Sequence, residues 1–149
     1  MTDSGDWAAI HAILAQEVPE VASGTVEMRR IARDPGRRTK LAVASLLPDL
    51  DPVAACVGPN ASRINAVVAA LGGECIDLLP WTASPEHFVK LALTPAHIHS
   101  VELDPARHRA VAYVAPDQLD AARGPDDLNS RLASELTGWS VAVVARSIG

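Results

Sequence analysis

Residues 58–73 read GPNASRINAVVAALGG, and residues 124–139 read GPDDLNSRLASELTGW. In each stretch a Gly-Pro pair opens a helical run, and a second glycine, Gly72 or Gly138, follows at the same distance. Ile64, Val67, Val68 and Leu71 fall at i, i+3, i+4 and i+7, which lines one face of a helix. A glycine just beyond such a run is where a left-handed C-cap ends it. Two segments with this pattern indicate one structural unit written twice.

Outward from the pair, the neighbours repeat as well. Each helical run leads into a β-like segment, CIDLL (75–79) or WSVAVV (139–144), and follows a short Ala-rich segment, DPVAACV (51–57) or DQLDAAR (117–123). Further upstream lie two extended segments joined by a turn: TVEMRRIA (25–32) and RTKLAVAS (38–45) around DPGR, and HSVELD (99–104) and RAVAYV (109–114) around PARH. WAAIHAILAQEV (7–18) and SPEHFVKLAL (84–93) supply an opening helix for each half. The order in each half is α-β-β-α-α-β. Three strands covered by helices on one face satisfy the need of each apolar surface for a partner layer, so the fold class is α+β. The boundaries expected are an N-terminal extension over 1–12, a first unit over 13–83 and a second over 84–149.

Composition sets the class. Of the 149 residues, 48% are hydrophobic and 21% charged, enough for a core and unlike a disordered chain. Only 3% are aromatic, so the interior is built from Ala, Val, Leu and Ile. A formal net charge of −5 weighs against a generic nucleic-acid binder. No apolar run approaches the ~20 residues of a membrane span, and the acidic start lacks the basic region of a signal peptide. A cytoplasmic location with no membrane partner is the expectation. Cys56 and Cys75, both flanked by apolar residues, are expected to be buried small hydrophobes.

Catalytic readings find little support. His97 and His99 alternate at a strand start, but two ligands without a third make no metal site. GxSxG, HExxH, a Walker loop and a dinucleotide fingerprint are all missing, so no catalytic residue, metal or cofactor is assigned. Asp126 and Asp127, at a helix start, are expected to cap that helix and complement its dipole.

The residues that carry a family resemblance are VPEVASGTVEMRRIARDPGRRTKLAVAS (18–45), DPVAACVGPNASRINAVVAALGGECIDLLPW (51–81), TPAHIHSVELD (94–104), APDQLDAARG (115–124) and LASELTGW (132–139). Together they resemble the tandem KH region of the bacterial transcription termination/antitermination factor NusA, over roughly residues 13–145. The resemblance implies two tandem type II KH units, each with a GxxG loop between two helices, and RNA and the transcription machinery as partners. It also implies that RNA-contacting residues sit at Gly58, Pro59, Asn60, Ala61, Ser62 and Arg63 of the first loop, at Gly124 of the second, and on the stripe Arg29, Arg37, Arg38 and Lys40. Six of the thirteen cations, Arg29, Arg30, Arg33, Arg37, Arg38 and Lys40, lie within twelve residues; solvated charges that blunt a sheet edge are the competing reading.

The chain departs from the family at the loops. A GxxG loop bares backbone N–H groups to phosphate at a helix N-terminus. Here Ala61 replaces the last glycine of the first loop. The second loop, Gly124-Pro125-Asp126-Asp127, is degenerate: it loses its last glycine and sets two carboxylates where phosphate would lie. Each costs on the order of 1–3 kcal/mol at ~5 Å and intermediate dielectric. Arg123, Ser130, Ser134 and Glu135 also replace residues of other character, and residues 84–149 hold six Lys and Arg against eight Asp and Glu. Neither the family's polymerase-binding domain nor its S1 domain is in the sequence, so a stand-alone KH pair or a fragment is expected, with Met1 favouring the former.

Two functions are open at this point. One is a regulator of transcription elongation, termination and antitermination with weakened RNA binding. The other is a repurposed KH scaffold: a protein-interaction module, with a homodimer as one form, a small-molecule binder, or a cofactor-free biosynthetic enzyme of the cyclase or isomerase type.

Overall fold

The computed structural model describes residues 4–147. It divides into two compact units, Met1–Trp81 and Thr82–Gly149. The first contains α1 (Ser4–Glu17), α2 (Pro19–Ala22), β1 (Val26–Asp34), β2 (Arg38–Ser45), α3 (Pro52–Val57), α4 (Ser62–Ala70) and β3 (Cys75–Pro80). The second contains α5 (Pro85–Ala92), β4 (Ser100–Asp104), β5 (Arg109–Val114), α6 (Leu119–Arg123), α7 (Leu128–Thr137) and β6 (Ser140–Ala145). This is the α+β architecture of two KH units.

Each unit holds a three-stranded sheet, in the order β1-β2-β3 or β4-β5-β6. The first two strands pair antiparallel through the short turn that Asp-Pro opens, and the last pairs parallel with the middle one. The parallel partner needs a crossover, and the two helices between the strands provide it. β3 and β6 are therefore edge strands, each lying beside the helix that precedes it.

The first core joins Ile10 and Leu14 of α1 to Val26, Met28, Leu41 and Val43 of the sheet and to Cys56 and Val67 of the crossover helices. Of the segment expected as an N-terminal extension, residues 4–12 lie in α1, and Ile10 is buried in this core. The second unit buries Phe88, Val89, Leu93, Leu128, Leu132 and Leu136 from its helices against Val101, Ala112, Val114 and Val143. Its middle strand buries Ala110 and Ala112 as well. Leu71 closes α4 and Gly72 follows at φ 69°, while Gly138 caps α7 at φ 78°. The left-handed stops expected from the glycine spacing are thus in place. No described helix is long and apolar enough to cross a membrane.

Candidate nucleic-acid interface

The two Gly-Pro loops have the same backbone. Gly58, Asn60 and Ala61 lie at φ/ψ of 75°/171°, 54°/32° and 60°/23°. Gly124, Asp126 and Asp127 lie at 73°/172°, 56°/32° and 57°/22°. In each loop the fourth residue donates its N–H to the carbonyl of the first, at 3.1 Å for Ala61 to Gly58 and 3.2 Å for Asp127 to Gly124. The leading glycine is required twice over. Its dihedrals lie where only glycine is unstrained. A Cβ on Gly58 would also stand 2.6 Å from Cγ of Arg63, and one on Gly124 would stand 2.8 Å from the backbone nitrogen of Asn129.

The fourth position is left-handed too, yet it holds Ala61 and Asp127. For alanine that conformation costs roughly 1–2 kcal/mol, and aspartate tolerates it better. Asp127 is the N-cap residue of α7, but it makes no side-chain capping bond. This corrects the expectation that its carboxylate caps the helix. Capping needs an extended backbone at the N-cap, and the left-handed turn removes the side chain from that geometry. Both loops thus set a left-handed turn directly before a helix start. The first does so with the neutral Pro59, Asn60, Ala61 and Ser62, of which Pro59, Asn60 and Ser62 are exposed.

Three of the six cations of the Arg-rich hairpin, Arg33, Arg38 and Lys40, are tied into the first unit. Arg33 makes paired bonds of 3.0 Å to the buried carboxylate of Glu74 and one of 2.9 Å to Asp6. Glu74 also accepts from the Gly36 amide at 2.8 Å and from the Thr39 hydroxyl. Burial pushes the Glu74 carboxyl up. The bonds from Arg33, Thr39 and Gly36 outweigh that and hold it below the usual carboxylate range. Arg38 grips Asp77 with two bonds of 2.6 and 3.0 Å.

Lys40 reaches the same Asp77 at 2.8 Å and is 0% exposed. Burial lowers its pKa to about 8 against the pull of Asp77. Lys40 therefore leaves the surface stripe in which the resemblance put it, since an enclosed ammonium has no path to a phosphate. Arg63 donates to Glu20 at 3.0 Å and to the Ala55 carbonyl at 2.7 Å, fastening α4 to α2 and α3. Of the stripe, Arg29 and Arg37 are exposed. Arg29 pairs with Glu27 at 3.3 Å and lies 5.1 Å above the Trp81 ring; Arg37 pairs with Asp34 at 3.3 Å. Exposed pairs of this kind are worth about 0–1 kcal/mol, so neither pair holds its guanidinium firmly.

In the second unit a cleft of about 550 Å3 runs between α7 and β6, with Arg123, Asp127, Ser130, Arg131 and Ser134 along its helical wall. A second hollow of about 520 Å3 lies over the loop beside Asp120, Asp126 and Asp127. The cationic side of the cleft was not legible from composition, because Arg123 and Arg131 are eight positions apart and meet only through the helix–loop–helix turn. Gly124 sits at the junction, and Pro125 and Asp126 are exposed beside it.

The remaining candidates stay apart. His97 and His99 are exposed, and the described residues contain no group of three side chains able to hold a metal. Cys56 is buried, and burial with nearby Glu20 pushes its thiol up to about 11. Cys75 is exposed, contrary to expectation, at the first position of the edge strand β3.

Comparison with known proteins bears on this geometry. Residues 6–81 match the family model of the NusA-like first KH domain, and residues 85–148 that of the NusA-like second KH domain. The chain is 48% identical over 129 residues to the transcription termination/antitermination protein NusA of Thermus thermophilus, an alignment covering 87% of this chain and 33% of the relative. It is 42% identical over 128 residues to NusA of Bacillus subtilis, covering 85% and 34%. The chain thus spans about a third of the length of the curated relatives it matches. Among solved structures it resembles the crystal structure of APE1850, with a TM-score of 0.61, 23% identity and coverage of 93% of this chain and 94% of the other. That likeness concerns the fold alone.

Proposed function

The chain belongs to the NusA-like KH family, and from that premise we propose that it binds single-stranded RNA weakly, through its first unit, in the service of transcription termination and antitermination in the cytoplasm. The observation that carries this reading is the first loop: Gly58–Ala61 keeps the backbone of an anion-accepting turn and has no charge that repels phosphate. Weakness follows from the side chains. The last glycine is an alanine, Lys40 is enclosed, and Arg38 and Arg63 are held by Asp77 and by Glu20. Arg29 and Arg37 supply the accessible positive charge. Recruitment of the scaffold as an enzyme or small-molecule binder is not favoured, because both curated relatives described above carry the transcription factor's name.

Fluorescence anisotropy of a labelled single-stranded RNA tests the reading. Two phosphate contacts give a shallow salt dependence, a log–log slope of about −1.4. Carrying the second loop's charges into the first, as Asn60→Asp with Ala61→Asp, is expected to weaken binding by roughly tenfold or more, given ~1–3 kcal/mol per misplaced carboxylate. No binding at micromolar protein in low salt refutes direct RNA recognition.

A further inference from the structure

The outer edges of β3 and β6 differ in what covers them. Inward-facing amides alternate down each edge strand. Cys75 and Trp81 donate to Arg37 and Val43 at 3.2 and 2.8 Å, and Ser140 and Arg146 donate to His108 and Val114 at 3.0 and 2.9 Å. By the period of two, Ile76 and Leu78 on β3 and Val141 and Val143 on β6 turn their N–H and C=O groups to the groove side. An open strand edge of this kind offers a donor and an acceptor at every second residue.

In the second unit the chain takes two of these groups itself, the Val141 N–H and the Val143 C=O. The Ser134 hydroxyl accepts from the Val141 N–H at 3.0 Å and donates to the Ser130 carbonyl at 3.0 Å. The Arg123 guanidinium donates to the Val143 carbonyl at 3.3 Å. Arg123 stands one residue before Gly124 and Ser134 ten after it. Counted from Gly58, the same places hold Val57 and Val68, whose side chains have no hydrogen-bonding atom. So the edge of β3 receives nothing from the two positions that cover β6.

We propose that Arg123 and Ser134 form an internal plug on the β6 edge, which confines base reading to the first unit. The proposal rests on the RNA reading above. Bases in single strands are read by hydrogen bonds to their edges, so a base that reads the Val141 N–H or the Val143 C=O must first displace the bond the chain already makes there. It must also bring its phosphate beside Asp126 and Asp127. Plug and loop charge act in the same direction, through different atoms.

Amide-resolved NMR on the full chain tests this in two steps. Without RNA, the Val141 amide exchanges with solvent more slowly than the Ile76 amide, and Ser134→Ala speeds Val141 by roughly tenfold. Next, an unstructured single-stranded RNA of about eight nucleotides, twice the span one KH loop clamps, is titrated in. It shifts the amides of Ile76 and Leu78 and leaves those of Val141 and Val143 in place, also when Asp126→Asn and Asp127→Ala remove the loop charges. Adding Arg123→Val and Ser134→Val to that variant brings Val141 and Val143 into the response. The plug is overturned if Val141 and Val143 respond with Arg123 and Ser134 present, or if Val141 exchanges as fast as Ile76. An RNA that shifts no amide in either unit refutes the RNA reading instead. The plug is then judged on exchange alone, where protection of Val141 supports it and lack of protection overturns it.

Discussion

The loops at Gly58 and Gly124 agree in backbone to within a few degrees at every distinctive residue, yet one presents Asn-Ala and the other Asp-Asp. The strands after them diverge similarly. In the first unit Glu74, just before β3, ties together Arg33, Gly36 and Thr39; at the matching place before β6, Trp139 stacks on His108 with ring centroids 4.2 Å apart. Shape has been held while chemistry moved. A leading glycine with room for no Cβ is enough to preserve the turn, and the other loop positions are free to change charge. Backbone likeness in a repeat is therefore a poor guide to shared binding, and the side chains that line the groove decide it.

The comparison breaks most severely at Glu74. Glu74→Gln leaves Arg33 facing a neutral amide in a buried site. Removing one member of such a pair costs about 3–5 kcal/mol. Trp139→Ala loses a ring-on-ring contact worth about 0.5–1.5 kcal/mol together with part of a half-buried side chain. Urea unfolding of the two variants should therefore rank Glu74→Gln as the more damaging, and a reversed order would show that the first unit does not depend on its buried carboxylate.

The leading glycines give the next largest effect. Gly124→Ala is expected to cost about 3 kcal/mol and Gly58→Ala about 2 kcal/mol, because both enter a region reserved for glycine. The added Cβ meets backbone at Asn129 in the second loop but side-chain carbons of Arg63 in the first. Thermal unfolding of the pair measures the gap; equal losses would mean that Arg63 is as rigid as backbone.

Lys40 sharpens the comparison through pH. Its folded pKa of about 8 lies below the ordinary 10.5, so between these values the unfolded chain binds the extra proton. Stability contributed by this group thus rises as pH climbs from about 8 to 10.5, by up to roughly 3 kcal/mol. Measured against Lys40→Met, which keeps the Arg38–Asp77 pair, the unmodified chain should gain on the variant across that window. A flat difference would show that the ammonium is better solvated than its enclosure implies. The smallest effect belongs to the fourth loop residues. Ala61→Gly should stabilise by about 1 kcal/mol and Asp127→Gly by less, since aspartate already tolerates the left-handed region.

The element order was legible because glycine, proline and apolar spacing are local signals. Gly72 and Gly138 marked helix ends, and DPGR and PARH marked the hairpin turns. The pairings that remove cations from the surface were not legible. Asp77 meets Arg38 and Lys40 across a parallel ladder, 39 and 37 positions along the chain. A run of basic residues says nothing about which carboxylate a crossover will deliver. The Arg123 plug was half legible: Arg123 and Ser134 stood out as unusual residues, but only the register of β6 shows that both face the same strand edge. Asp127 misled for a related reason, since acidic residues at a helix start normally cap it, and here the loop's left-handed turn prevents that.

One consequence follows from the carboxylate that holds Arg33. Because Glu74 is kept ionised below the usual range, its contribution is present above the ordinary glutamate pKa and disappears as acid protonates it. Acidification should therefore loosen the hairpin turn at Gly36 from the start of β3. A graded acid titration would then act as a selective release, giving access to a chain whose amino-terminal half has slackened ahead of its carboxy-terminal half.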